Sequence, residues 1–103
     1  MALTIQEASS SAIVTDTAVF TAGGNRILEG LSWYNSHTDV VDLTVKFART
    51  ATVTIFKITV AAGESGHLDC SKSKHYFSNL QTITATDSVG SKIHMAISAL
   101  GVP

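Results

Sequence analysis

Apolar and polar side chains alternate along several stretches of this chain, and the alternation predicts β-strands. In residues 40–48 the apolar positions at this spacing are Val41, Leu43, Val45 and Phe47. In residues 92–100 they are Ile93, Met95, Ile97 and Ala99. Successive side chains of a strand point to opposite faces, so each stretch buries one face and leaves the other to water or to a neighbour.

Shorter stretches of the same kind predict further strands, at residues 12–15 or 12–21, 27–35, 52–60, 67–70 and 81–86. The glycine-containing segments 22–25 and 61–66 are expected to be turns, because glycine and asparagine readily adopt positive φ. Residues 52–60 are partly apolar on both faces, which indicates a central strand or a strand covered by a partner. No segment has a convincing helical period.

Seven to nine short strands with regularly spaced turns are typical of an antiparallel sandwich or barrel. The prediction is an all-β fold with a single antiparallel β-sandwich. A length of 103 residues suits one domain. Residues 12–103 are assigned to the sandwich. Residues 1–11 have no clear period and are expected to form an extended arm, either disordered or laid across a neighbouring subunit, although a short helix at 4–9 is also compatible with them.

Composition and charge argue against several classes of partner. Seven lysines and arginines are balanced by eight aspartates and glutamates, so the chain has no excess of positive charge with which to bind nucleic acid or anionic lipid. No apolar window is long enough to span a membrane, and the N-terminus does not have the pattern of a secretory signal. Only 15% of residues are charged. A weakly charged surface rich in threonine is expected where subunits contact one another.

The residues capable of chemistry do not form a recognisable catalytic pattern. His67, Asp69, Cys70 and His75 would need a further ligand, such as His37 or His94, to hold a metal. A Cys70–His dyad would have no identifiable oxyanion donor. The Gly-Glu-Ser-Gly segment departs from a nucleophile elbow, because the next residue is histidine and no helix follows. We therefore expect a protein that is not an enzyme, with no catalytic, metal-binding or cofactor-binding residues and no cofactor.

Two other features have ordinary structural explanations. The basic cluster of Lys72, Lys74 and His75 carries too little charge density to indicate more than a solvated loop. Trp33 and Tyr34 are adjacent on a strand, so they face opposite ways and cannot stack on one sugar. Trp33 is expected in the core with Leu31, and Tyr34 at an edge or interface.

Several segments together resemble the small all-β virion structural proteins of tailed bacteriophages. The segments are Phe-Thr-Ala-Gly-Gly-Asn-Arg-Ile at 20–27, Gly-Leu-Ser-Trp-Tyr-Asn at 30–35, the strand at 41–45, Ala-Gly-Glu-Ser at 62–65 and Ile-Ser-Ala-Leu at 97–100. The resemblance covers about residues 12–100. It implies a virion component with a jelly-roll-like sandwich that is repeated by symmetry, as in head-decoration, head-vertex or tail-associated proteins.

The hypothesis that follows is a bacteriophage virion structural protein, made in the host bacterial cytoplasm. It would decorate the capsid or sit at a head vertex or neck, and stabilise the particle through homo-oligomeric contacts, as a trimer or pentamer, and contacts with the major capsid protein or other virion proteins. The expected interface residues are Met1, Leu3, Ile5, Tyr34, Thr52, Thr54, Tyr76, Thr82 and Thr84. The alternatives are a tail or fibre-base protein, and a small glycan-binding module that uses Tyr34, Tyr76 or Trp33.

Overall fold

A computed structural model of the chain describes residues 5–11, 17–70, 72, 75–90 and 92–101. Nine β-strands lie within these residues: β1 (Ile5–Ser11), β2 (Thr17–Thr21), β3 (Arg26–Asn35), β4 (Val41–Ala48), β5 (Thr52–Val60), β6 (Ser65–Asp69), β7 (Tyr76–Phe77), β8 (Thr82–Asp87) and β9 (Ile93–Gly101). They form two antiparallel sheets. One has the order β1-β9-β3-β6, with β7 also paired to β3, and the other has the order β2-β8-β4-β5.

The pairing order identifies the fold as a jelly roll. Strands β1, β2, β3 and β4 pair with β9, β8, β6 and β5 respectively. The first half of the chain therefore pairs with the second half in reverse order, like one long hairpin rolled into two sheets of four strands. The two-residue strand β7 is an addition to this scheme. The predicted all-β sandwich is confirmed.

The core lies between the two sheets and follows the predicted alternation. Strands β4 and β9 bury every second residue along most of their length. Phe77 of β7 packs edge-on against Phe47 and Phe20, with ring centroids 5.2 and 6.0 Å apart. These three rings are fully buried or nearly so and fill the core near the turn between β4 and β5.

Two sequence expectations differ from the structure. Ile5–Ser11 forms β1 and pairs with β9 along its length, so this segment is a strand of the sheet rather than a separate arm or a helix. Residues 1–4 lie outside the described residues. Strand β5 is an edge strand, so of the two alternatives the central position is wrong and the covering partner stays a prediction. The turns at 22–25 and 61–64 connect strands of different sheets, so neither closes a hairpin.

The expected irregularity at Gly30 is present. The β3–β9 register shifts between Leu28 and Gly30, and a Cβ at Gly30 would lie 3.0 Å from the carbonyl oxygen of Leu68. Gly30 therefore marks both a bulge and a close approach of β6. Within the described part of the chain, no helix has the length and hydropathy needed to cross a membrane.

Candidate subunit interface

The outer face of the four-stranded sheet is lined by threonine. Residues directly opposite each other in an antiparallel pair share a face. The partners of the buried positions of β4 point into the core, so the alternate positions of β4, β5 and β8 point outward. We call the outward threonines the threonine face: Thr44, Thr52, Thr54, Thr59, Thr82, Thr84 and Thr86.

Three charged residues lie among the threonines of this face. The outward charged residues of β4 and β5 are Asp42, Lys46 and Lys57. The hydroxyl of Thr59 donates a hydrogen bond to Oδ1 of Asp42, with a donor–acceptor distance of 2.7 Å. Short side chains of this kind lose little conformational freedom when they are buried, whereas the three charged side chains would need partners in a covered face. The face is physically suited to packing against another protein surface.

Four of the predicted interface residues come together on the threonine face. Thr52 and Thr82 both lie opposite Ala48, and Thr54 and Thr84 both lie opposite Lys46. Thr52 and Thr54 are exposed, whereas Thr82 and Thr84 are half-buried. The hydroxyl oxygen of Thr84 is buried and has no hydrogen-bond partner among the described residues. That hydroxyl is therefore not accessible to a second subunit, although its neighbours are.

The predicted aromatic residues do not join this face. Tyr34 and Tyr76 are exposed on the outer side of the other sheet. Tyr76 lies opposite Ile27, so the two tyrosines are roughly 20 Å apart along β3. Trp33 points inward, with its ring centroid 5.4 Å from that of Phe56. The three aromatic side chains thus form no common surface on which a sugar could stack.

The N-terminal candidates are only partly described. Ile5 is the first residue of β1 and lies opposite Leu100 in the register with β9. Met1 and Leu3 lie outside the described residues. Their part in an interface remains a prediction.

The candidate metal and nucleophile residues are not assembled into a site. His67 and Asp69 are exposed on β6, whereas Cys70 is buried, and its backbone N–H donates to the carbonyl oxygen of Glu29. Burial, with Asp69 nearby, raises the pKa of the Cys70 thiol, which disfavours the reactive thiolate. Among the described residues, no three histidine, cysteine, aspartate or glutamate side chains could together hold a metal ion.

His75 is placed as a packing residue. Its ring lies edge-on to Phe47, with centroids 5.0 Å apart. Burial lowers the pKa of His75, and the nearby charge of Arg49 lowers it further. A neutral imidazole is favoured in this position, which fits its contact with an aromatic core.

Two buried polar side chains that the sequence reasoning did not single out organise one end of the sandwich. The side-chain amide of Asn35 donates to the carbonyl oxygens of Val60, Asp39 and Ala61 at 2.9, 3.0 and 3.2 Å. Its Oδ1 accepts a hydrogen bond from the backbone N–H of His37 at 2.8 Å. Asn35 thereby ties the connection between β3 and β4 to the connection between β5 and β6.

Asp87 holds the connection between β8 and β9 in place. Its carboxylate is fully buried and accepts backbone N–H hydrogen bonds from Val89 and Gly90 at Oδ1, and from Lys92 and Ile93 at Oδ2. Burial alone would raise the pKa of Asp87, but these four hydrogen bonds outweigh it and lower the pKa below its usual value. The ionised carboxylate is the stable form.

Both residues stabilise loops rather than carry out a reaction. The Asp-Ser-Val-Gly sequence at 87–90 contained a usable signal, because aspartate commonly caps a turn by accepting bonds from the backbone that follows it. Nothing comparable marks Asn35, whose partners lie on a connection far along the chain.

Comparisons with known proteins agree with the jelly-roll assignment. No protein-family model matches the chain, and no curated protein matches it in sequence. Solved structures do match. The acidic stable capsid of Helicobacter pylori bacteriophage KHP30 gives a TM-score of 0.59 at 10% identity, over 97% of this chain and 86% of that one. The extra small virus particle of the prawn Macrobrachium rosenbergii gives 0.53 at 8% identity, over 96% and 77%.

A third match is to a protein of a different assembly. Bacillus endospore appendages, described as disulfide-linked pili, give a TM-score of 0.51 at 12% identity, over 96% of this chain and 85% of that one. At identities this low, all three similarities show a shared fold. That fold, a two-sheet β-sandwich, occurs in both viral capsid and pilus proteins.

Proposed function

We propose that this protein is a structural subunit of a virion and that it works by packing against copies of itself. The observation that supports this most strongly is the threonine face, an outward sheet surface with seven threonines on a jelly roll whose described residues do not assemble a metal site. Repeated, symmetric contacts are the usual means by which identical subunits build closed assemblies. Strength would come from many equivalent contacts rather than from one tight site.

We further propose a position on the particle. The subunit decorates the capsid or sits at a head vertex or neck of a bacteriophage, with the major capsid protein as its second partner; a tail or fibre base is the alternative position. Support comes from the bacteriophage capsid among the similar structures and from the sequence resemblance to tailed-phage virion proteins. On this proposal the protein is made in the host bacterial cytoplasm and resides in the virion.

The test is the absolute mass of the purified protein, measured by light scattering after size exclusion over a range of concentrations. We expect a discrete multiple of the 10.8 kDa chain mass, such as a trimer or pentamer. Thr52→Lys places a charge on the threonine face and is expected to shift the protein toward monomer. Thr38→Lys makes the same change at an exposed threonine in the connection between β3 and β4, and should leave the mass unchanged.

Two results would count against the proposal. One is a monomer at every concentration that also fails to bind emptied capsids. The other is an oligomer that responds equally to both lysine variants, because the threonine face would then have no special part in assembly.

Electron microscopy of the assembled material separates a virion subunit from a filament subunit, the function suggested by the endospore appendages. Those pili are described as disulfide-linked, whereas the single cysteine of this chain, Cys70, is buried. We therefore expect rings or shells whose mass does not change under reducing conditions. Long filaments that fall apart on reduction would favour the pilus-like function.

A further inference from the structure

The turn between β7 and β8 holds an apolar side chain in water. Leu80 is 72% exposed, more than any other large apolar residue of the described chain. Its φ is 71°, and no other described residue except glycine has a positive φ. Leucine is disfavoured in this left-handed region because its Cβ crowds the following carbonyl. Leu80 therefore combines an unfavourable backbone conformation with an unfavourable exposure.

Backbone hydrogen bonds, and not the leucine side chain, fix this turn. The Gln81 N–H donates to the carbonyl oxygen of Ser78 at 3.0 Å, and the Ser78 N–H donates to Oε1 of Gln81 at 2.8 Å. The Leu80 N–H donates to the carbonyl oxygen of Ala22, and the Ala22 N–H donates to that of Gln81, at 2.8 and 2.9 Å. Glycine or asparagine would suit this turn position better. The turn gains nothing from leucine, and its side chain is free to make a contact outside the turn.

The opposite side of the sandwich has apolar side chains that are exposed between its two sheets. Val53 lies opposite buried Phe47, and Leu68 lies opposite buried Leu31, so both face the interior of the sandwich. They are nevertheless 50% and 37% exposed, because β5 and β6 are edge strands with no further strand beside them. The two sheets are thus incompletely closed along this side.

The rings of Trp33 and Phe56 lie between these two edges. The indole of Trp33 lies over Gly66 of β6 and packs against Phe56 of β5, so it bridges the two sheets. Both side chains remain partly exposed. We call the opening formed by Trp33, Val53, Phe56 and Leu68 the edge slot.

We propose that Leu80 of one subunit inserts into the edge slot of a second copy. This inference rests on the proposed function and gives it a second contact, distinct from the threonine face. Neither the turn at 78–81 nor the edge slot has a charged side chain. Insertion of Leu80 therefore removes apolar surface from water without burying an unpaired charge.

The positions of the two features set the symmetry of this contact. Leu80 is bonded to Ala22, directly after β2, whereas Val53 and Phe56 lie on β5. Strands β2 and β5 are the two opposite edges of the same sheet. Each copy therefore offers Leu80 on one side and the slot on the other, which is a head-to-tail contact. Such contacts produce a ring when the rotation closes and a filament when it does not.

The first test compares Leu80→Asn with the wild type. Asparagine tolerates the left-handed conformation, so the melting temperature of the variant should be equal or higher. The concentration at which subunits associate should rise about tenfold or more, because the burial of the Leu80 side chain is lost. Val40→Asn makes the same kind of change at another exposed apolar residue, at 54% exposure, and should not alter association.

The second test identifies the slot by mixing two variants. Leu68→Lys places a charge at the edge slot; Val53→Lys is used in its place if the first variant does not melt cooperatively. Each variant alone should be defective in association. In a mixture of Leu80→Asn with the slot variant, one intact Leu80 meets one intact slot, so one-to-one heteropairs that neither variant forms alone should appear.

The outcomes separate this inference from the proposed function. If Leu80→Asn associates as the wild type does, the Leu80 contact is wrong while assembly through the threonine face stands. If Leu80→Asn is defective but the mixture forms no heteropairs beyond the species that each variant forms alone, the assignment of the slot is wrong. If the wild type never associates and does not bind capsids, both proposals fail.

Discussion

Replacing Asp87 with asparagine removes the charge from a buried carboxylate while keeping its shape. Oδ1 of the asparagine can still accept from Val89 and Gly90, but its NH₂ group would face the backbone N–H groups of Lys92 and Ile93. Two buried donors then lose their acceptor. At about 1–3 kcal/mol for each unsatisfied group, the free energy of unfolding should fall by about 2–6 kcal/mol. At about 4–8 °C per kcal/mol, a domain of this size would melt at least about 8 °C lower.

The measurement is denaturant unfolding followed by circular dichroism, at neutral pH and again near pH 3. Because the folded pKa of Asp87 is lowered, its contribution to stability is fully present above the unfolded pKa of about 3.9 and is lost as the pH falls through the folded pKa. The gap between wild type and Asp87→Asn should therefore be widest at neutral pH and should narrow in acid.

A matched variant controls for the loss of an aspartate charge in general. Asp39 is exposed and accepts one backbone hydrogen bond, from Val40 at 2.8 Å. Asp39→Asn should change the free energy of unfolding by less than about 0.5 kcal/mol. The reasoning would be refuted if Asp87→Asn were as stable as Asp39→Asn at neutral pH, or if its deficit grew on acidification.

Three further substitutions test other contacts. Gly66→Ala should lower the free energy of unfolding by about 1–3 kcal/mol and change the fluorescence of Trp33, because the added Cβ would lie 2.7 Å from the indole. Unchanged stability and emission would contradict the close contact. Thr84→Val should leave thermal stability unchanged or raise it by up to about 1 kcal/mol, because the hydroxyl lacks a partner; a clear loss would reveal one. Asn35→Ala should cost about 2–4 kcal/mol in urea unfolding, and a cost below about 1 kcal/mol would show that its loops are held independently.

Sequence periodicity predicted strands well where one face is buried along their whole length. Strands β4 and β9 alternate without interruption and lie within a residue or so of their predicted bounds. Strand β5 was placed correctly in the chain but not in the sheet. By strict alternation its apolar side chains fall on both faces, which suggested a central position or a covering partner. In the structure β5 is an edge strand with a partly exposed inner face, and a bulge opposite Val45 and Lys46 shifts its alternation.

Pairing partners and loop anchors could not be read from the sequence. Periodicity states which face of a strand is buried but not which strand lies beside it, so the inclusion of β1 in the sheet was missed. Residues 5–11 are mostly small and polar, and their strand depends on pairing with β9 rather than on their own pattern. Asn35 was missed for a related reason, because its partners Val60 and Ala61 become neighbours only once both sheets have formed.

The reverse-order pairing also sets the timing of folding. Among the described strands, only β4 and β5 are both consecutive in the chain and paired with each other. Ile5 of β1 lies opposite Leu100, about 95 residues further along the chain. Contacts between residues so far apart in sequence slow folding, because a long loop is closed before any pairing energy is recovered. During translation, β1 remains unpaired until β9 has left the ribosome. A chain truncated before β9 would leave β1 and β3 without the strand that lies between them. This sheet can therefore be completed only after residue 101 has been synthesised.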